Sequence, residues 1–233
     1  MYEYTLGRSG DYAKKFLEDW KGTYLHCDGY TGYKKLMDKT LCGCLVHAKR
    51  KFYEAYEVNR SNEYAKQGET YLRKLFRLED KADESGLTLE KRLEMRKTNS
   101  KQVLDEFYSW ISQIESKILP KSLMGKAITY AINQKEYLEN FLKDARIQLS
   151  NNLAEQSVKP FVIGRSNWLF ANTPNGANAS TMIYSIIQSA ILNNLIPQKY
   201  LTFVFDTIQS GGDASLLVPW SDEIPESCKN KKS

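Results

Sequence analysis

The chain has 233 residues and a mass of 26.9 kDa, and 42% of it is apolar, enough for one sizeable core or two modest ones. That excludes a disordered or collagen-like polypeptide. Thirty-three Lys and Arg against 28 Asp and Glu leave a net charge of +5, which permits an anionic partner without requiring one. The longest apolar run, Met182 to Leu192, is broken by Ser185, Gln188 and Ser189 and falls short of the roughly 18 residues that cross a bilayer. The opening residues lack the layout of a secretory signal, so the expected location is the cytoplasm. Cys27, Cys42, Cys44 and Cys228 form no C-x-x-C pair and are expected to be reduced thiols.

In chain order, Asp11 to Trp20 carries helical spacing, and Tyr24-Leu25-His26-Cys27 reads as a buried strand. Tyr30 to Met37 is helical again, Leu41 to Val46 is a second strand, and a helix is expected from Ala48 to about Tyr64. This alternation argues for an α/β sheet with crossover connections, whose working residues sit beyond the carboxyl ends of strands. Residues 61 to 145 hold 15 basic and 14 acidic side chains and read as a solvated helical region. Within it Tyr71, Leu72, Leu75, Phe76 and Leu78 form one apolar stripe, and Val103, Leu104, Phe107, Trp110, Ile111, Ile114 and Ile118 a stronger one. Gly86 with Thr88 marks a break and restart, Pro120 a stop, and Leu123 to Leu142 a further helix. Asn151 opens a short helix limited by Pro160, Thr173 to Gly176 turns into a buried helix from about Ala179 to Leu192, and Pro197 ends that region. The tail beyond Pro219 is expected to fray.

Few residue sets here can do chemistry. There is no phosphate-binding glycine loop, no H-E-x-x-H and no G-x-S-x-G, and His26 and His47 are the only histidines. Carboxylates remain. Asp28, at the end of the first strand and before Gly29, projects into a crevice on one reading and is a turn aspartate on the other. Glu155 is the third residue after Asn152, so a capping box, or an ion pair with Lys159, accounts for it fully. Cys44 and His47 begin a zinc-like pair that no second pair completes. The run Lys49-Arg50-Lys51 suits either phosphate contact or a wet helix face. From Lys159 to Phe170 cations and aromatics mix: Arg165 is placed to hold a phosphate and Trp168 to stack on a base, with Asn167 between them, while a core Trp with a snorkelling Arg explains the pattern as well.

The stretch Asn151-Asn152-Leu153-Ala154-Glu155-Gln156, continuing through Gly164-Arg165-Ser166-Asn167-Trp168-Leu169-Phe170 to Ile183-Tyr184-Ser185, closely resembles the carboxyl-terminal signature of bacterial insertion-sequence-66 transposases. Arg8-Ser9-Gly10, Asp28-Gly29-Tyr30-Thr31-Gly32-Tyr33, Cys44 to Phe52 and Leu217-Val218-Pro219-Trp220 fall in the family's order. The resemblance implies a DDE enzyme, with a catalytic domain like ribonuclease H and two aspartates and a glutamate that hold divalent metal. Asp28 matches the second aspartate and Glu155 the glutamate. Both are therefore candidate catalytic residues and ligands for Mg²⁺, or Mn²⁺, whose preference for hard oxygen donors suits carboxylates.

The implied fold is a partial ribonuclease H-like α/β domain interrupted by a long, mainly helical insertion. Its expected parts are a first core segment (1–66), the insertion (67–145), a second core segment (146–220) and a flexible tail (221–233). The first aspartate of the family belongs to a motif with no counterpart here. Met1 to Leu6 corresponds to the end of a third strand, so the expectation is the downstream part of a truncated or split transposase. Its expected partners are DNA, at element ends and target, the upstream part of the enzyme and further copies of the chain, with no membrane. Lys49, Arg50, Lys51, Lys159, Arg165, Asn167 and Trp168 are the candidate DNA contacts. The alternative is a catalytically silent DNA-binding remnant.

Overall fold

A computed structural model describes residues 1–168 and 171–230, the side chains of residues 165–168 excepted. The chain divides into two compact units: Arg8–Leu153, and Met1–Gly7 with Ala154–Ser233. The segments expected as a first core part and a separate helical insertion thus pack as one body.

In the unit Arg8–Leu153, helix α1 (Gly10–Phe16) starts where the Ser9 side chain accepts the Asp11 backbone N–H at 3.3 Å. Strands β1 (Tyr24–Cys27) and β2 (Thr40–Gly43) pair in parallel, from Tyr24 beside Thr40 to Cys27 beside Gly43. They are the strands of the sheet among the described residues. The crossover between them is about a dozen residues, near the minimum for a parallel pair, and it holds a 3-10 turn (Thr31–Lys35) where the spacing suggested an α-helix. Helix α2 (Leu45–Val58) begins directly after β2, three residues earlier than its periodicity indicated. Gly43 is closely approached by Leu138, since a Cβ there would lie 3.1 Å from the Leu138 side chain and 3.2 Å from its backbone nitrogen.

The main core lies in this unit. Leu45, Ala48, Phe52 and Ala55 recur at three- and four-residue intervals along α2 and are buried. They join Leu72 and Leu75 of α3 (Glu63–Glu84), Leu104, Phe107 and Ile111 of α5 (Lys101–Ile114) and Ala127, Ile128 and Ala131 of α6 (Leu123–Asn133) in one cluster. The predicted break after α3 is realised: Gly86 adopts φ +59°, where a side chain would be strained, and Leu87 N–H donates to the Ala82 carbonyl at 3.0 Å. Thr88 then caps α4 (Leu89–Met95), accepting the Lys91 N–H at 3.4 Å.

The middle of the chain is not the uniformly solvated region its charge balance suggested. A π turn at Arg96–Ser100 separates α4 from α5. It directs Arg96, 1% exposed, onto Glu79 of α3: Nε donates to Oε1 at 2.8 Å and Nη2 to Oε2 at 2.7 Å. Nη1 donates to the carbonyls of Phe141 and Asp144 at 3.0 and 2.9 Å. Arg92 adds a further bond to Glu79 at 3.0 Å.

The single helix expected over Leu123–Leu142 is broken into α6, α7 (Lys135–Glu139) and a 3-10 turn (Asn140–Lys143). The first break is at Gln134, and the buried Asn140 side chain, where the 3-10 turn begins, donates to the Leu41 carbonyl of β2 at 2.7 Å.

In the unit Met1–Gly7 with Ala154–Ser233, α8 (Asn152–Trp168) enters from the other unit's end and runs through Pro160, where a stop was expected. Phe161 stacks 5.9 Å from Tyr2 and meets Tyr184 edge-on at 5.1 Å, and this packing holds the chain helical past the proline. Residues 1–6 carry no strand; Tyr2 N–H donates to Ser185 Oγ at 2.7 Å and its hydroxyl to the Ser157 carbonyl. Helix α9 (Pro174–Leu192) starts at the Thr173 cap and is largely exposed rather than buried, with Met182 at 64% and Leu192 at 79%. Pro197 opens a helix, α10 (Pro197–Gln209), instead of ending one, as suits a residue lacking an N–H in a first turn. The segment expected to fray is tied down to Asn230: Ile224 and Cys228 pack on Tyr200, and Ile196 N–H donates to the Cys228 carbonyl at 2.7 Å.

Two predictions follow from this packing. Arg96→Leu leaves the Glu79 carboxylate with Arg92 as its remaining partner and the Phe141 and Asp144 carbonyls without their donor, and is expected to cost about 3 kcal/mol in denaturant unfolding, more than the conservative Arg96→Lys. All four cysteines are free and buried, and burial pushes the Cys27 thiol up to about 12 and Cys42 to about 11. With about one Cys27 thiolate in ten thousand at pH 8, a thiol reagent should leave Cys27 and Cys42 unmodified in the native protein and label four thiols in denaturant.

Candidate functional site

Asp28 directly follows the last residue of β1, at the carboxyl end of the parallel pair, and is exposed. Its Oδ1 accepts the Tyr30 backbone N–H at 3.0 Å, a local Asx turn. The strand-end and turn readings therefore describe one residue, and the turn fixes the direction of its carboxylate.

Helix α6 passes close by. A Cβ at Gly29 would lie 3.2 Å from the Tyr130 ring and 3.4 Å from the Gln134 side chain. The hydroxyls of Tyr33 and Tyr130 are both raised above the usual phenol value, mainly by burial and further by the Asp28 charge, Tyr130 to about 12. Both remain neutral hydrogen-bonding groups beside the carboxylate. Nothing local in the sequence marks Tyr130, a hundred residues downstream; the one signal is the glycine that follows Asp28 and leaves space for a ring.

The basic run divides. Lys49 and Lys51 are two positions apart on α2, so they point to opposite flanks. Lys49 Nζ sits over the Phe76 ring of α3 at 5.0 Å, and Lys51 Nζ over the Tyr130 ring at 4.9 Å. Of the three, Lys51 shares the Tyr130 neighbourhood with Asp28, while Arg50 is exposed to solvent.

Segment 148–151 lies along the carboxyl end of the sheet, held by three bonds. His26 Nε2 meets the Gln148 carbonyl at 2.8 Å, Leu45 N–H donates to the Leu149 carbonyl at 2.9 Å, and Asn151 N–H donates to Cys44 Sγ at 3.5 Å. Burial holds the His26 imidazole below its usual pKa, so it stays neutral. Cys44 is a buried residue at the start of α2. Asn151 Oδ1 is buried with no hydrogen-bond partner among the described residues.

Glu155 is exposed in the first turn of α8, where a negative charge complements the helix dipole. The helix runs from Asn152, three residues before Glu155. Asp28 and Glu155 belong to different units. Lys159 is exposed one turn beyond Glu155. Arg165, Asn167 and Trp168 are on the α8 backbone, but their side chains lie outside the described residues, as do Leu169 and Phe170. Among the described residues, no three or more His, Cys, Asp or Glu side chains converge into a metal-holding group. No described helix is long and apolar enough to cross a membrane.

Three relatives from Sinorhizobium fredii (strain NBRC 101917 / NGR234) are similar to the chain. Uncharacterized protein y4qI is 30% identical over 233 residues, and the match covers 94% of this chain and 42% of that protein. Uncharacterized protein y4hP is 28% identical over 240 residues, covering 94% and 43%, and uncharacterized protein y4jD is 29% identical over 233 residues, covering 94% and 45%. The chain thus spans less than half the length of these relatives. No solved structure matches it. The family described as Transposase IS66 family matches residues 1–179, the span that holds both β1 with Asp28 and α8 with Glu155. The chain belongs to the IS66 transposase family.

Proposed function

We propose that the chain forms part of a ribonuclease H-like catalytic domain of a DDE transposase, with Asp28 and Glu155 as two of the carboxylates that hold Mg²⁺ or Mn²⁺ and DNA as the substrate. The observation that carries this reading is Asp28 itself: an exposed carboxylate at the carboxyl end of a parallel strand, aimed by a hydrogen bond from Tyr30. Beside β2, the Leu149 carbonyl accepts the Leu45 N–H and the Asn151 N–H donates to Cys44 Sγ.

The donor chemistry around Asp28 fits a hard cation. Carboxylate oxygens suit Mg²⁺ or Mn²⁺. When bound, the metal supplies positive charge against the entering and leaving oxygens of an in-line displacement at a phosphodiester. The chain's own part is positional: the Asx turn holds Asp28, neutral Tyr33 and Tyr130 sit beside it, and Lys51 offers a cation to a substrate phosphate. A third carboxylate has no match in these 233 residues and would come from polypeptide outside them.

Manganese binding, followed by electron paramagnetic resonance, tests the ligand assignment. Asp28→Asn and Glu155→Gln should each weaken binding about tenfold or more, with Lys49→Ala close to wild type. Unchanged binding in both carboxylate variants overturns the assignment. Salt-dependent retention of DNA in that same case supports the silent DNA-binding alternative. On terminal-repeat DNA in Mg²⁺, the isolated chain should leave the substrate uncut, and robust cutting would overturn the need for an outside carboxylate.

A further inference from the structure

The cations of the helical region sort into two sets. Arg73 pairs with Glu69 at 2.7 Å, and Arg92 and Arg96 are engaged by Glu79. Lys74, Arg77 and Lys81 are exposed and form no ion pair among the described residues, although Asp80 and Glu84 lie within a turn of them. They fall three and four positions apart, on one stripe of α3.

That stripe is one wall of a groove of about 340 Å³ between α3 and α5. Half-buried Leu78 and Val103 floor it. Opposite stand Asn99, set there by the π turn, and Gln102, whose side-chain amide donates to Glu106 at 3.0 Å. Lys74 Nζ lies over the Tyr71 ring at 5.2 Å, which steadies it at the rim.

We propose that this groove binds the sugar-phosphate backbone of duplex DNA, as a contact separate from the Asp28 neighbourhood. Spacing favours a linear polyanion over a compact one. Seven residues of helix spread the three cations over about 10 Å, close to the axial rise of three phosphate-to-phosphate steps along one strand at about 3.4 Å each. A small anion needs donors that converge on a point, and these are in line. Glu106 on the far wall repels charge from the floor, so phosphates ride along the α3 rim while Leu78 and Val103 face the sugars. The inference rests on the reading of the chain as a protein that handles DNA.

Fluorescence anisotropy on a duplex of about 30 base pairs, over about 50 to 200 mM salt, tests it. Lys74→Ala/Arg77→Ala/Lys81→Ala should lower affinity about tenfold at low salt and flatten the slope of log affinity against log salt by about 2 to 3. A control of equal charge, Lys117→Ala/Lys121→Ala/Lys126→Ala, also on exposed positions, should stay within about twofold of wild type. Binding by the groove variant that matches wild type overturns this inference alone. Equal losses in both variants overturn it too, since attraction would then be diffuse. Displacement of the duplex by an acidic peptide at equal charge concentration assigns the groove to a protein partner instead. Failure of the wild type to bind duplex overturns both this inference and the DNA-acting function.

Discussion

The buried contact between Arg96 and Glu79 is the constraint on which the larger unit depends. Taking an ion pair out of water is costly, and it persists when geometry and extra hydrogen bonds repay the lost hydration. Here the guanidinium spends two donors on the carboxylate and a third nitrogen on the Phe141 and Asp144 carbonyls. Helix α3 is thereby tied to residues 141–144, the last turn before the chain runs across the end of the sheet. The Asp144–Arg146 bond next to it, at 2.6 Å, holds the Asp144 carboxyl down at about 2, yet that pair faces solvent and contributes little by comparison.

From that anchor the chain runs on to the carboxyl end of the sheet. Residues 148–151 are laid down against His26, Leu45 and Cys44. Asp28 is positioned from the other direction, by β1 and its own turn. The helical region therefore does more than interrupt the chain between two acidic residues. Its interior cation fixes the connection, Tyr130 from α6 packs beside Asp28, and α3 carries unpaired charge outward.

Local features of the sequence carried over wherever the cause was local. The run Tyr24 to Cys27 formed a strand, Asp28-Gly29 turned, and Gly86 with Thr88 ended one helix and began another. What was illegible depended on residues far away in sequence. Pro160 did not stop α8 because Tyr2 and Tyr184 pack on Phe161; the turn that starts at Asn140 is tied to Leu41 across the fold; the tail held because Ile224 and Cys228 find Tyr200. Balanced charge over 61–145 concealed that two of those side chains are interior. In the candidate site, Asp28 and Glu155 were legible as carboxylates through the resemblance, whereas Tyr33 and Tyr130 became neighbours only through folding.

The π turn reverses a common engineering rule. Exposed helical positions are ordinarily strengthened by residues of high α propensity. Across Lys97–Asn99, such substitutions would favour a tighter register, and with the residue count unchanged each lost π turn rotates everything downstream by about 100°. Leu104, Phe107 and Ile111 would then swing from the interior toward water. A change that stabilises the helix as a helix would, at this one place, unseat the protein.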